Sequence, residues 1–232
     1  MIEYVNQLGG GAPSTGPLPA GASAVVWSLD TTATEVGGHR LRDAERVLDA
    51  EERERASRMV RPGLRDRYLA SHLGLRILLG GYLGVAPREV GLMREDCPCC
   101  GEPHGRPAVV GGGVHFSLSH SGDLAYLAFS AVPVGVDIEE IPGGQTVSDV
   151  LSSLHPAETA ELESLAPELR PGALGRLWAR KEACLKAAGT GLALGLTEPY
   201  VGSLPEPAAV PGWSLTDLPA PAGYAAALAV AD

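Results

Sequence analysis

The sequence has little positive charge and very little lysine. Among its 232 residues, 18 lysines and arginines stand against 28 aspartates and glutamates, a formal net charge of −10. Affinity for a nucleic-acid backbone needs clustered excess positive charge, so this balance argues against a nucleic-acid partner. The two lysines, Lys181 and Lys186, lie in one short segment. Lysine gives up a proton more readily than arginine, so the segment is a candidate for a catalytic role. The alternative is that both lysines fall in one segment by chance.

Long apolar runs are also missing. The longest, such as residues 77–79 and 225–230, are far shorter than the ~20 residues that span a bilayer, so we expect no membrane partner. Residues 1–21 have neither the basic flank nor the apolar stretch of an export signal and are rich in glycine and proline. They are predicted to form a flexible lead, and the protein is expected to be cytoplasmic.

Cysteine is scarce but clustered. Four cysteines are too few for a disulfide scaffold at this length, and three of them, Cys97, Cys99 and Cys100, stand almost together. With His104 they offer the Cys-x₂-Cys-x₃-His spacing of a zinc site, in which Cys99 or a distant group would have to supply the fourth ligand. The alternative is a group of reduced, packed thiols. Cys184 is expected in the core.

Hydrophobic periodicity divides the chain into strands and helices. Ser121-Gly122-Asp123 is typical of a hairpin turn. Each half of the chain contains a strand, then helices, then strands, which predicts an α+β fold and suggests a duplicated unit. We expect a lead at 1–21, one half at 22–131 and a second at 132–232. Strands are predicted at 22–29, 114–120, 124–130, 134–138, 213–216 and 224–230. Helices are predicted from 49 to a break at Pro62-Gly63, over 66–82 with an end at Gly84, from 156, and over 173–188 with an end at Gly189 and Gly191.

Two carboxylates stand at the end of a predicted strand. Asp137 and Glu139 are two residues apart, so both point to one face while Ile138 points to the other. Two hard oxygen ligands on one face suit Mg²⁺, which commonly takes one or two carboxylates together with substrate phosphates. The alternative is a solvated strand end.

The long predicted helix carries a polar stripe. Trp178, Glu182 and Lys186 recur at every fourth residue and so lie on one face. Glu182 and Lys186 could form an intrahelical pair worth only ~0.2–0.5 kcal/mol. The alternative is that Glu182 is a third metal ligand or a base, and that Lys186 meets a phosphate or its leaving oxygen.

Two further groups could hold an anion. Ser119 and His120 stand where a strand enters a turn, and their short donors suit a phosphate, although polar surface is the alternative. A basic stretch in this acidic protein could hold a small polyanion, with a salt-bridged exposed helix as the alternative. That stretch contains Arg53, Arg55, Arg58, Arg61, Arg65 and Arg67.

Four segments together resemble, in order and spacing, the 4′-phosphopantetheinyl transferases of the surfactin-synthetase-activating type. The resemblance covers roughly residues 22–232. The most specific part is Gly-Val-Asp-Ile-Glu followed some forty residues later by Trp-x-x-Lys-Glu-Ala-x-x-Lys, which also accounts for both lysines. The segments are Gly105-Arg106-Pro107, Phe116-Ser-Leu-Ser-His-Ser-Gly122, Val134-Gly-Val-Asp-Ile-Glu139 and Leu177-Trp-Ala-Arg-Lys-Glu-Ala-Cys-Leu-Lys186.

The resemblance implies a monomer of two similar α+β halves with coenzyme A in the cleft between them. Mg²⁺ on the pyrophosphate lets a carrier-protein serine attack the phosphorus that bears the pantetheine arm, and 3′,5′-ADP leaves. The carriers belong to polyketide, nonribosomal-peptide or fatty-acid synthesis. The rival hypotheses are a non-catalytic coenzyme A or nucleotide-binding module, and a small zinc-linked interaction protein built around residues 97–104.

The resemblance also implies roles for particular residues. By position in the shared motifs, the metal ligands are Asp137, Glu139 and Glu182, and Lys186 contacts the reacting phosphate. Glu182 is also a candidate base, and Lys186 a candidate acid for the leaving group. The residues implied to contact coenzyme A are Arg67, Arg106, Ser119 and His120, with Arg55 a helper at the 3′-phosphate.

An apolar stripe follows the strand that bears the carboxylates. Val147, Val150, Leu151 and Leu154 recur at helical spacing close to where the carrier serine must arrive. One hypothesis makes the stripe a docking patch for the carrier, since a net charge of −10 opposes long-range attraction to an acidic domain. The alternative is ordinary core packing.

Overall fold

Five α-helices and eleven strands are described in the protein. The structure is a computed structural model that describes residues 5–191 and 195–232. The helices are α1 (Ala50–Ser57), α2 (Pro62–Leu83), α3 (Gly144–Val150), α4 (Pro156–Ser164) and α5 (Arg170–Ala188). The strands are β1 (Asn6–Gln7), β2 (Ala24–Asp30), β3 (Glu35–Val36), β4 (His39–Arg40), β5 (Leu92–Arg94), β6 (Pro107–Val109), β7 (His115–Ser121), β8 (Leu124–Ser130), β9 (Val134–Glu140), β10 (Trp213–Leu218) and β11 (Tyr224–Ala231). The predicted α+β class is confirmed.

Two sheets form the centre of the fold. The first has the order β1-β2-β8-β7, in which β1 runs parallel to β2 and the other pairs are antiparallel. The second is antiparallel, with the order β10-β11-β9. The predicted hairpin between β7 and β8 is confirmed, and Gly122 takes a φ of +54°, a left-handed conformation that suits glycine.

The sheets pack face to face, and each carries one long helix on its outer face. Buried side chains from β2 and β8 meet those from β9, β10 and β11 in a shared apolar layer that includes Val26, Val136 and Ile138. Helix α2 packs against the outer face of the first sheet, and α5 packs against the second, with α3 and α4 beside it. The layers therefore follow the order helix, sheet, sheet, helix.

The helix boundaries follow local capping signals. Asp49 and Glu52 form a reciprocal capping box that starts α1. The sequence predicted that this helix would run on to Pro62-Gly63, and that prediction is wrong: α1 ends at Ser57, and Pro62 is the first residue of α2. Proline suits the first helical turn because its missing N–H has no partner there. Helix α2 ends before Gly84, as expected, and α5 ends before Gly189, each with a left-handed glycine cap.

The N-terminal segment 1–21, expected to be a flexible lead, packs on the fold in part. Asn6 and Gln7 pair with Trp27 and Ser28 of β2, and Leu8 is buried in the core around α2. Short strands of two or three residues, such as β3 to β6, were not predicted, because runs this short carry no measurable periodicity. No helix in the described residues is long and apolar enough to cross a membrane.

Candidate active site

Strand β9 and helix α5 touch backbone to backbone. A Cβ atom on Gly135 would lie 2.0 Å from the carbonyl oxygen of Ala183 and 2.5 Å from the backbone nitrogen of Ala187. Glycine is therefore required at position 135 for this approach. Side chains that follow Gly135 on the same face of β9 consequently point at the last turns of α5.

Three polar side chains meet where β7, β9 and α5 converge. Lys186 Nζ donates to Asp137 Oδ1 at 2.6 Å and lies 2.8 Å from Ser119 Oγ, which itself donates to Asp137 Oδ1 at 2.6 Å. Asp137 is 1% exposed and Lys186 is about one-third exposed. The intrahelical alternative for Lys186 is thus replaced by a tertiary contact: its partner is Asp137, on another element.

The carboxylates around this point carry unbalanced negative charge. Asp137 Oδ2 is buried and has no hydrogen-bond partner among the described residues. Burial raises the pKa of Asp137 although Lys186 and Ser119 oppose the rise. Burial and then the charge of Asp137 raise the pKa values of both Glu139 and Glu182. Carboxylates destabilised by burial and by one another are suited to bind a cation.

The three carboxylates do not converge on one point. Within the described residues, the carboxylate oxygens of Asp137, Glu139 and Glu182 do not all lie within 4.8 Å of one another. The ammonium of Lys186 balances one oxygen of Asp137, and Ser121 Oγ donates to Glu139 Oε2 at 3.2 Å. The possible ligands are three carboxylates, and one oxygen of Asp137 is buried and unpartnered. Carboxylate oxygens are ligands that Mg²⁺ prefers.

A ladder of serines ties β7 to β9. Ser117, Ser119 and Ser121 alternate along β7 and face β9: Ser117 Oγ accepts the Val136 N–H at 3.1 Å, and Ser121 Oγ accepts the Glu140 N–H at 3.1 Å. Sequence reasoning singled out Ser119 and missed the other two. Their spacing of two residues on a strand was the signal that would have found them.

His120 faces the opposite side of β7, toward helices α1 and α2. Burial, then the positive charges of Lys186, His72 and Arg55, lower the pKa of His120. Arg55 lies over the ring of Tyr68 at 5.9 Å from the ring centre, and Tyr68 in turn stacks on His72 at 4.0 Å. The structure thus places Arg55 and His120 in one basic neighbourhood. His72 belongs to the same neighbourhood and was not predicted from the sequence.

Arg67 and Arg106 are both paired with carboxylates. Arg67 Nε donates to Asp123 Oδ1 in the β7–β8 turn at 2.8 Å. Arg106 Nε lies 2.7 Å from Glu95 Oε2, and its Nη1 donates to the Ala187 carbonyl at 2.7 Å, next to Lys186. Neither arginine contacts Asp137.

The second lysine has a structural position. Lys181 is 1% exposed, lies 2.9 Å from Glu158 Oε2 and donates to the Pro199 carbonyl at 2.6 Å. Lys181 therefore joins α5 to α4 and to the segment before β10 and does not pair with Asp137. Of the two lysines, Lys186 is the candidate for a catalytic role. Cys184 is buried in the core around α5, as predicted, and burial raises its pKa to about 12.

The apolar stripe after β9 packs inward. Val147 and Leu154 are each 3% exposed and belong to the core around α5, while Val150 and Leu151 pack against its edge. These contacts favour core packing over a docking patch for the stripe.

The family of the chain follows from comparison with known proteins. A sequence profile of the 4′-phosphopantetheinyl transferase superfamily matches residues 133–229, which span β9, α5 and β11. The 4′-phosphopantetheinyl transferase HetI of Nostoc sp. is 36% identical over 198 residues, which cover 83% of this chain and 82% of the relative.

Two further relatives carry the same activity in their names. The 4′-phosphopantetheinyl transferase Sfp of Bacillus subtilis is 29% identical over 160 residues, covering 66% of this chain and 70% of the relative. The enzyme AcpT of Salmonella typhimurium is 38% identical over 125 residues, covering 52% and 59%. The chain belongs to the 4′-phosphopantetheinyl transferase superfamily, and it is an enzyme of that class. The resemblance seen in the sequence is confirmed, and coenzyme A and carrier proteins are the substrates that the family implies.

Proposed function

We propose that the chain moves the 4′-phosphopantetheine arm of coenzyme A to a serine of apo carrier domains in polyketide, nonribosomal-peptide or fatty-acid synthesis, in a Mg²⁺-dependent reaction. The serine oxygen forms a new bond to the phosphorus that bears the pantetheine arm. The bond from that phosphorus to the leaving phosphate breaks, and 3′,5′-ADP departs. Family membership supports this enzyme over a non-catalytic coenzyme A-binding module.

The observation that carries the proposal is the buried, unpartnered oxygen of Asp137. An unpaired buried acceptor is costly, so Oδ2 of Asp137 is expected to find a cation when substrate is bound. Mg²⁺ held by Asp137, Glu139 and Glu182 would neutralise and orient the pyrophosphate of coenzyme A. Phosphoryl transfer needs such charge neutralisation and positioning more than covalent help from the protein.

Lys186 and Glu182 are the proposed catalytic side chains. Lys186 is one-third exposed on the site side of α5, so its ammonium can contact the reacting phosphate and give a proton to the leaving oxygen. Ser119 and Asp137 hold that ammonium in place. Glu182 lies one helical turn away and is the proposed acceptor of the serine proton, directly or through water.

Basic side chains around the site are the proposed contacts of coenzyme A. His120 and Arg55 share one neighbourhood, and Arg106 contacts the end of α5 beside Lys186. Arg67, at the β7–β8 turn, is the proposed contact of the 3′-phosphate, which would replace Asp123 as its partner. Ser119 completes the set.

The proposed architecture is a pair of similar halves, 22–131 and 132–232, with coenzyme A in the cleft between them. The support is that each of the two packed sheets carries one long helix on its outer face. The serine ladder and Asp137 lie along the line where β7 and β9 run side by side. A monomeric state and a cytoplasmic location stay predictions.

The test is mass spectrometry of apo carrier domains incubated with the enzyme, coenzyme A and Mg²⁺. We expect the carrier to gain the mass of one phosphopantetheine group on its serine, and to gain nothing when Mg²⁺ is chelated. With Asp137→Asn in place of the wild-type enzyme, the gain should be about 100-fold slower. A wild-type enzyme that modifies no carrier across polyketide, nonribosomal-peptide and fatty-acid types, yet binds coenzyme A, would contradict the proposal and favour the binding module.

A further inference from the structure

The loop between β5 and β6 folds back on itself in a compact turn. We call residues 97–104 the cysteine loop. Its backbone closes through two short hydrogen bonds: Cys97 N–H donates to the Glu102 carbonyl at 2.7 Å, and Gly101 N–H donates to the Cys97 carbonyl at 2.7 Å. Gly101 takes a φ of +78°, which favours glycine at this turn. The turn brings the two ends of the loop together.

Three potential metal ligands converge inside this turn. The sulfurs of Cys97 and Cys100 and a ring nitrogen of His104 all lie within 4.8 Å of one another. Cys100 Sγ is 3.0 Å from His104 Nε2. In a tetrahedral zinc site, Zn–S bonds of about 2.3 Å and Zn–N bonds of about 2.0 Å place neighbouring ligand atoms roughly 3.5–3.8 Å apart. The loop is therefore already close to the spacing that zinc requires.

The three side chains differ in how exposed they are. Cys97 is 2% exposed whereas Cys100 and His104 are exposed, so an ion has an anchored ligand on one side and an open path on the other.

We propose that the cysteine loop is a structural zinc site with Cys97, Cys100 and His104 as ligands and Cys99 as the fourth. Cys99 is exposed and lies two residues from Cys97 in the same loop, so rotation of its side chain would bring its sulfur to the remaining position. A closed site of protein ligands has no open position for substrate, so the role of the zinc is to hold the loop rather than to react.

The loop leads directly to a residue of the candidate active site. A Cβ on Gly105 would lie 2.6 Å from the Glu95 carbonyl oxygen, so the two arms of the loop touch immediately after His104. The next residue, Arg106, pairs with Glu95 and reaches the end of α5. Zinc would therefore fix the base of the loop from which Arg106 extends.

The first test measures the metal without reference to activity. Protein is purified with added zinc, separated from unbound metal and analysed by elemental mass spectrometry. We expect about one zinc per chain. Cys97→Ser and Cys100→Ser should lose most of it, while Cys184→Ala, outside the loop, should retain it. Wild-type protein without stoichiometric zinc, or full zinc in both serine variants, would overturn the proposal.

Cobalt substitution identifies the ligands. Co²⁺ in the wild-type protein is expected to show the visible bands of a tetrahedral ion and a strong thiolate charge-transfer band. Cys99→Ser should weaken the charge-transfer band by about one-third if three thiolates bind the ion. A pale octahedral spectrum would contradict the site, and an unchanged band in Cys99→Ser would contradict the fourth ligand.

Thiol protection gives a result even if the variants fail to fold. In wild-type protein, zinc should protect Cys99 and Cys100, the two exposed thiols of the loop, from alkylation by iodoacetamide, mapped by mass spectrometry, and chelation should restore their labelling. Equal labelling with and without zinc would overturn the proposal, as would a Cys97–Cys100 disulfide that persists when zinc and reductant are both present.

One consequence rests on the proposed function. If Arg106 contacts coenzyme A, removal of zinc should raise KM for coenzyme A by several-fold with a smaller change in kcat. Zinc that binds stoichiometrically but leaves KM unchanged would refute the link to Arg106 and leave the metal site standing. Absence of transfer activity in zinc-loaded protein would instead contradict the proposed function.

Discussion

Gly135 of β9 and Ala183 of α5 are so close that any side chain at position 135 would collide with the helix backbone, 2.0 Å from the Ala183 carbonyl oxygen. This contact sets the distance at which Asp137 meets Lys186. We therefore expect Gly135→Ala to destabilise the protein by about 3 kcal/mol or more, because neither backbone can move without disturbing the core. The melting temperature should fall by roughly 6–12 °C.

The matched control for Gly135→Ala is Gly172→Ala, in the first turn of α5, where an added Cβ meets nothing within 4 Å. Alanine favours a helix over glycine, so thermal unfolding of this variant should be unchanged or occur slightly higher. Equal melting temperatures for the two variants would show that β9 and α5 are not in backbone contact.

Removing the charge of Asp137 should abolish most activity. Asp137→Asn keeps the shape of the side chain but weakens its affinity for a cation and its pairing with Lys186. A loss of about 3 kcal/mol of transition-state stabilisation corresponds to ~100-fold in kcat. The measurement is carrier modification rate at several Mg²⁺ concentrations, with Glu140→Gln, an exposed carboxylate on the same strand, as the control. A folded Asp137→Asn enzyme with near-normal kcat would contradict the proposed ligand.

Ser121 is predicted to position Glu139 rather than to touch substrate. Ser121→Ala removes the hydrogen bond to Glu139 Oε2, so the Mg²⁺ concentration for half-maximal activity should rise about 10-fold. At saturating Mg²⁺ most of kcat should return. Ser121→Thr keeps the hydroxyl and should restore the wild-type requirement. A variant whose kcat stays low at every Mg²⁺ concentration would assign Ser121 another role.

Arg67 is predicted to recognise the 3′-phosphate of coenzyme A. Arg67→Ala should raise KM for coenzyme A about 10-fold with a smaller effect on kcat, because a contact remote from the reacting phosphorus contributes mainly uniform binding. With 3′-dephospho-coenzyme A the variant and the wild type should behave alike. Arg58→Ala, an exposed arginine paired with Glu54, serves as the control. An undiminished preference for the 3′-phosphate would move that role to Arg55 or Arg106.

Leu151 separates the docking and core hypotheses for the stripe after β9. Because Leu151 packs against the core around α5, Leu151→Asp should lower the melting temperature by several degrees and leave KM for the carrier unchanged. Leu169→Asp, at a leucine that is 58% exposed, should melt like the wild type. A raised carrier KM with an unchanged melting temperature for Leu151→Asp would restore the docking hypothesis.

Local order in this protein was readable from its sequence. The hairpin at residues 114–130, the carboxylate strand and the long lysine-bearing helix all lie where periodicity and glycine caps predicted them, because these signals act between residues a few positions apart. The wrong boundary at Pro62 shows the limit, since a proline can begin a helix as well as break one.

The sequence pattern also identified the segments that are typical of the family. The motif around Asp137 and the motif around Lys186 identified the superfamily that the comparisons confirm. It did not determine which groups meet. From spacing alone, Glu182 was as good a partner for Lys186 as any other residue, and Lys181 was as suspect as Lys186.

Only the tertiary structure decided those partners. Lys186 pairs with Asp137, 49 residues away, because Gly135 lets α5 lie directly on β9, and Lys181 turns into the core to meet Glu158. The serine ladder likewise forms only because two packed sheets bring β7 beside β9. Contacts of this kind depend on how closely whole elements approach, and close approach is a property of packing that local periodicity does not encode.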